Sequence, residues 1–182
     1  MNKKELGGKY SIFYLIKGKA GRYNQKLIKE VGPKFGEDYL IKNPLPSHIT
    51  IKYPFETENI KKVEGVLREF VNNHKFSKLK IYGFGNFKQS VIFMKTKFSK
   101  PALQIQKELI KEFKKIGIKP RKFDKNLKPH VTVAYGNTKK TFKLIWNYVR
   151  ELNKPKFELE LNNLAIMKKT KNKWKIHKEF KL

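Results

Sequence analysis

The stretches SHITIKY (47–53) and PHVTVAYG (129–136) decide how this chain is read. Each alternates polar and apolar residues at a period of two, the mark of a β-strand with one face on a core. In the first, His48 and Thr50 point one way while Ile49 and Ile51 point into the core. In the second, His130 and Thr132 share a face while Val131 and Val133 turn inward. Lys52 continues the His48 face, whereas Tyr135 falls off the His130 face by the same count. Two of the four histidines in the chain carry the tetrad His-apolar-Thr-apolar, 82 residues apart. That recurrence, each time on a strand pattern, is hard to reach by accident.

Working outward, the two strands occupy matching places in a repeated order. KYSIFYLIK (9–17) reads as an opening strand rich in aromatic and β-branched residues. Tyr23, Leu27, Ile28 and Val31 form one stripe of a helix over 20–31, which Gly32-Pro33 stops. The first motif strand follows, then a helix over about 58–73 carrying Ile60, Val63, Leu67 and Phe70. Strands over 76–85 and 89–97 form a hairpin around Gly85-Asn86. Pro101 then opens a helix that Gly117 closes, and the second motif strand is succeeded by a helix through Phe142, Ile145, Val149 and Leu152. FELELNNLAIMKK (157–169) and WKIHKEFKL (174–182) read as the last two strands. The spacing from motif histidine to the next strand is 28 residues in one half and 27 in the other. Helix, strand, helix, strand, strand therefore occurs twice, behind one extra strand. The expected fold is α+β: a bilobal duplicated unit, two antiparallel-rich sheets facing each other across a central cleft, helices outside. No linker separates the halves (1–98 and 99–182), so residues 1–182 read as a single domain.

Composition narrows the chemistry. The chain has 182 residues, 39% of them hydrophobic, enough for one core and against wholesale disorder. It contains no Cys, which removes disulfides, thiolate metal sites and cysteine nucleophiles and makes a cytoplasmic location the expectation. The longest apolar run, Tyr10 to Ile16, is far short of the ~20 residues of a membrane span. Thirty-nine Lys and four Arg face only 15 acidic residues, for a net charge of +28. A surplus of that size favours a polyanionic partner, RNA first, because lysines neutralise phosphates and release counterions. Asp38 and Asp124 are the only aspartates, too few for the carboxylate-rich sites that gather two metal ions. Metal-free chemistry that needs no cofactor is therefore the expectation.

Two imidazoles facing each other across a cleft suit that chemistry. With an ordinary pKa of about 6.5, one histidine can accept a proton while the other donates one. Placed on opposite sides of a phosphodiester, His48 and His130 can activate the nucleophile and protonate the leaving oxygen. Thr50 and Thr132 can donate to non-bridging phosphate oxygens, and Lys52 can favour the anionic transition state. The other histidines, His74 and His177, read as surface residues, and Trp146 and Trp174 as core or half-buried packing.

On HITI (48–51) and HVTV (130–133), the chain resembles the 2H phosphoesterase superfamily, which includes the 2′-5′ RNA ligase-like proteins. The resemblance runs from YSIFYLI to WKIHKEFKL. It implies a bilobal α+β fold and metal-independent opening of 2′,3′-cyclic phosphate ends of RNA, reversible as 2′-5′ ligation. It further implies that His48 donates a proton to the departing ribose oxygen and His130 activates water, with Thr50 and Thr132 on the phosphate. The partner is then an RNA or nucleotide carrying a cyclic phosphate, and the protein a monomer away from membranes. Two other readings fit the residues: an RNA-binding module with little turnover, and a phosphodiesterase for small cyclic or 2′-5′-linked nucleotides. The Ala134-Tyr135-Gly136 stretch departs from the Arg that many RNA-directed members carry after the second motif.

Overall fold

β1 (Gly8–Leu15), α1 (Gly18–Phe35), a single turn α2 (Tyr39–Lys42), β2 (His48–Thr57), α3 (Ile60–Asn73) and β3 (Ser77–Phe87) make up the first part of the chain. β4 (Val91–Phe98), α4 (Lys100–Lys115), a short α5 (Lys122–Lys125), β5 (His130–Tyr135), α6 (Thr138–Glu151), β6 (Lys156–Leu161), β7 (Asn163–Thr170) and β8 (Lys173–Lys181) complete it. The structure, a computed structural model, describes residues 7–136, 138–171 and 173–182. The strands form two four-stranded antiparallel sheets, ordered β2-β1-β7-β8 and β5-β4-β3-β6. The expected fold class is thus the observed one, and the motif strands β2 and β5 are edge strands of different sheets that approach each other.

Several sequence expectations are corrected. The stretch 157–169 is two strands in two different sheets, broken at Asn162. β6 is an edge strand and alternates in burial, whereas β7 lies between β1 and β8 and is buried from Asn163 to Met167. At the crossing, the Asn163 side chain imitates a strand neighbour: its amide donates to Leu15 O (3.0 Å) and its Oδ1 accepts from Leu15 N (2.9 Å). Secondly, the β3–β4 turn lies at Lys88-Gln89, both at positive φ, rather than at Gly85-Asn86. Thirdly, α1 runs through Gly32-Pro33 and ends at Gly36, whose left-handed φ of 68° closes the helix. The opening strand is also no extra: β1 pairs with β2 as β4 pairs with β5.

One continuous core joins the sheets to the helices. It takes Ile12 and Tyr14 from β1, Ile49 and Ile51 from β2, Ile92 and Met94 from β4, and Val131 and Val133 from β5. Leu67 of α3, Leu109 and Phe113 of α4, and Ile145 of α6 close over them. On the opposite face of β1, Phe13 and Leu15 join Ala165 and Met167 in a smaller cluster.

Both motif strands depart from strict alternation at the same place. Ile12 pairs with Lys52 but Phe13 pairs with Thr50, so β2 carries an extra residue at Ile51. Ile92 pairs with Ala134 but Phe93 pairs with Thr132, so β5 carries one at Val133. A bulge of this kind turns two consecutive side chains to one side and reverses the faces beyond it. Ile51 and Lys52 are consequently both buried, as are Val133 and Ala134. Lys52 therefore leaves the His48 face to which strict alternation assigns it. It is fully buried, and its Nζ donates to Asp124 Oδ2 at 2.8 Å. The Asp124 carboxylate also accepts from Tyr53 N (2.8 Å) and Arg121 N (2.7 Å), which ties α5 to β2.

Removing one partner of a buried ion pair strands the other in apolar surroundings, which costs about 3–5 kcal/mol. Asp124→Ala is therefore expected to lower the thermal midpoint by roughly 6–20 °C. Lys52→Met combined with Asp124→Ala should recover much of that loss. Calorimetry on the three proteins checks this, and an unchanged midpoint in Asp124→Ala would contradict it.

Candidate active site

Between the sheets lies a cleft of about 1330 Å³. His48 and Tyr53 of β2, Lys169 of β7 and Trp174 of β8 line it from one sheet; Phe87, His130, Thr132 and Tyr135 line it from the other. Both motif histidines therefore open into one space. Thr132 does so as well, while Thr50 is half-buried and is not among the lining residues. Lys52 is absent from the cleft because of its bulge and its pairing with Asp124.

The two imidazoles are held alike. His48 Nδ1 lies 2.8 Å from Pro46 O, and His130 Nδ1 lies 2.8 Å from Lys128 O, in each case the carbonyl two residues earlier. A carbonyl oxygen only accepts, so each Nδ1 donates and each Nε2 is left as the ring position for proton traffic. A phenylalanine from the neighbouring strand backs each ring. Phe13, paired with Thr50, stacks on His48 at 3.8 Å and 8°. Phe93, paired with Thr132, lies 5.2 Å from His130, and Phe87 meets that ring edge-on at 4.9 Å. Gly85 makes this possible: a Cβ there would fall 2.7 Å from the Phe93 ring.

The electrostatics follow from this packing. Burial pushes the His48 imidazole down to about 4, opposed by the bond to Pro46 O and reinforced by the charge of His130. Burial also lowers His130, again opposed by its backbone bond. In the free protein near neutral pH both rings are thus neutral. An anion bound between them would favour the protonated form and raise both values.

Several residues that share the site escape an alternation count. Asn24 of α1 is buried and joins the motifs: its amide donates to Thr132 O (2.9 Å), and Ser47 Oγ donates to its Oδ1 (2.7 Å). Tyr135, which strict alternation turns away, is brought to the cleft by the Val133 bulge and meets Tyr39 edge-on. Tyr53, its counterpart, lies against Phe123 of α5. The available signal was the sixth position: HITIKY and HVTVAY both end in Tyr. Outside the cleft, His74 bonds Phe70 O and Glu108, and His177 bonds Glu64; both are structural. Among the described residues no three His, Cys, Asp or Glu side chains cluster closely enough to hold a metal ion. No helix among them is long and apolar enough to cross a membrane.

A two-sheet α+β scaffold with paired histidines in the intervening cleft defines a class, and comparison with solved structures bears out the fold. A crystal structure described as a phosphoesterase matches with TM-score 0.67 at 11% identity, covering 97% of this chain and 99% of that one. Escherichia coli LigT complexed with 3′-AMP matches with TM-score 0.61 at 11% identity, with coverage of 97% and 99%. TT0787 of Thermus thermophilus matches with TM-score 0.59 at 14% identity, with coverage of 96% and 97%. No curated protein matches by sequence. The family model of the 2′-5′ RNA ligase superfamily matches residues 27–173, and the chain belongs to that superfamily, the 2H phosphoesterases.

The coupling between the rings has a measurable sign. A protonated His130 disfavours a second positive charge on His48, so His130→Ala should raise the His48 titration midpoint above that of the parent. Because the His48 value is depressed from 6.5 in the unfolded chain, its contribution to stability is complete above pH 6.5 and is lost as pH falls toward 4. NMR titration of the His48 ring in both proteins tests the coupling; identical midpoints would contradict it.

Proposed function

We propose that the protein is a phosphodiesterase that opens 2′,3′-cyclic phosphate ends of RNA by general acid–base catalysis between His48 and His130. The observation that carries this reading is the matched pair of imidazoles. Each is fixed through Nδ1 to the carbonyl two residues before it, which leaves Nε2 unengaged by that bond, and both residues line one cleft. Membership of a superfamily of phosphoesterase and ligase type supports phosphoester chemistry. The 3′-AMP complex of LigT, a neighbour in fold, supports a nucleotide carrying its phosphate on the ribose.

In this mechanism the cyclic phosphate sits between the rings, and its anionic oxygens raise the depressed His48 value, so that His48 enters the reaction protonated. His130 Nε2 accepts a proton from water as the water oxygen bonds to phosphorus. The bond from phosphorus to one ribose oxygen breaks, and His48 Nε2 supplies the proton that this oxygen needs. Ring opening consumes one water and leaves a monoester. Thr132 donates to a non-bridging oxygen from the wall of the cleft, and Thr50 supports the His48 side. When a 5′-hydroxyl attacks the cyclic phosphate in place of water, the same two proton transfers form a 2′-5′ link. The net charge of +28 favours a polyanionic chain as substrate. The residues require no metal or cofactor for these steps, and a monomer in the cytoplasm suffices for them.

A short RNA ending in a 2′,3′-cyclic phosphate, incubated with EDTA, tests the reading. The parent protein should open the ring. His48→Ala and His130→Ala should each lose about 10²–10⁴-fold in rate, and Thr132→Val a smaller factor. Readout of the product as a 2′- or 3′-monoester identifies the leaving oxygen. Absence of turnover together with tight, salt-sensitive RNA binding would replace this reading by that of a binding module.

A further inference from the structure

The cleft is larger than one small ligand needs. Its 1330 Å³ exceeds the roughly 300–1,000 Å³ of a pocket for a single drug-sized molecule. The excess space is not featureless. From His48 the rings continue across the face of the sheet: Phe13 lies 3.8 Å from His48, and Trp174 of β8 lies 6.5 Å from Phe13. Trp174 packs on the small cluster of Phe13, Leu15, Ala165 and Met167 while also lining the cleft. Lys169 is its cross-strand partner on β7, and Lys173 is its neighbour in sequence; both line the same space. Among the described residues neither lysine makes an ion pair.

An aromatic platform flanked by lysines matches the chemistry of a single-stranded nucleic acid, a flat base beside an anionic backbone. We infer that Trp174, Lys169 and Lys173 form a second nucleotide subsite, so that the preferred substrate is an oligonucleotide rather than a mononucleotide. The terminal cyclic phosphate lies between the histidines, and the base of the preceding nucleotide stacks on Trp174. The lysines take the phosphate that joins the two nucleotides. This inference rests on the reading of the site given above and adds the substrate's length to it. A Trp174 that only roofed the small apolar cluster would affect all substrates alike.

The test compares adenosine 2′,3′-cyclic phosphate with a dinucleotide, ApA, ending in the same group. In the parent protein kcat/KM should be about ten-fold or more higher for the dinucleotide. In Trp174→Ala the ratio of the two values should fall toward one, and in Trp174→Phe most of it should return. Replacing Lys169 and Lys173 by Ala should flatten the salt dependence on the dinucleotide. Equal kcat/KM on both substrates in the parent, or an unchanged ratio in Trp174→Ala, would overturn the subsite. A second measurement separates this result from that of the catalytic reading. The chain has two Trp, so Trp146→Phe leaves Trp174 as sole tryptophan emitter. ApA bearing a 3′-phosphate should quench it, and 3′-AMP much less. Quenching without any ring opening would uphold the subsite and remove the cyclic phosphodiesterase. Ring opening with neither quenching nor dinucleotide preference would do the reverse.

Discussion

The extra residue that each motif strand carries just past its threonine is the constraint on which the cleft depends. A regular strand delivers every second side chain to the same face. His48, Thr50 and Lys52 would then all face the cleft, and Tyr53 and Tyr135 would not. The bulges at Ile51 and Val133 stop that progression after the threonine and start it again one residue out of phase. Two consecutive side chains go inward at each bulge. In β5 both are apolar. In β2 the second is Lys52, whose charge has to be met inside the protein by Asp124. The exchange gives the site two tyrosines and fastens α5, with its exposed Phe123, alongside one of them.

The same duplicated geometry explains why the histidines behave as a pair while differing in degree. Each is oriented by a carbonyl two residues back and backed by a phenylalanine from the strand beside it. The desolvation that results favours the neutral form of both rings when the cleft is free of anions, and an anion bound between them would favour the protonated form. His48 is stacked face to face on Phe13, whereas His130 meets its two phenylalanines at an angle. Close parallel stacking excludes water from one whole side of a ring. Burial lowers both imidazoles, and it pushes that of His48, the one on Phe13, down to about 4. Its value also carries the repulsion of its counterpart.

How much of this was legible depended on the distance over which a pattern held. Period-two alternation across four residues was enough to place His48, Thr50, His130 and Thr132 on their faces. It failed at the fifth and sixth residues, because a bulge is set by pairing with β1 and β4, and its trace on the strands themselves is only the shared Tyr at the sixth position. The recurrence of Ile-Phe at 12–13 and 92–93, opposite the bulges, shows the duplication from the other side of the ladder. The break at Asn162 was marked by Asn162-Asn163 and by a change from alternating to continuous apolar residues, but two strand-like stretches joined without a turn are easily read as one strand. Asn24 and Asp124 act through contacts with residues 108 and 72 positions away. No local pattern encodes such partners.

The crossing at Asn162 has a consequence for the order in which the molecule can be assembled. The sheet containing His130 is built from one uninterrupted segment, β3 through β6, and can close on itself as that segment leaves the ribosome. The sheet containing His48 cannot. β1 and β2 are synthesised first, yet alone they are a two-stranded ribbon, which is marginal in water. Their remaining neighbours, β7 and β8, arrive last. β1 and β2 must therefore wait for β7 and β8. Every strand of the sheet around His130 is thus available before the sheet around His48 has all of its own.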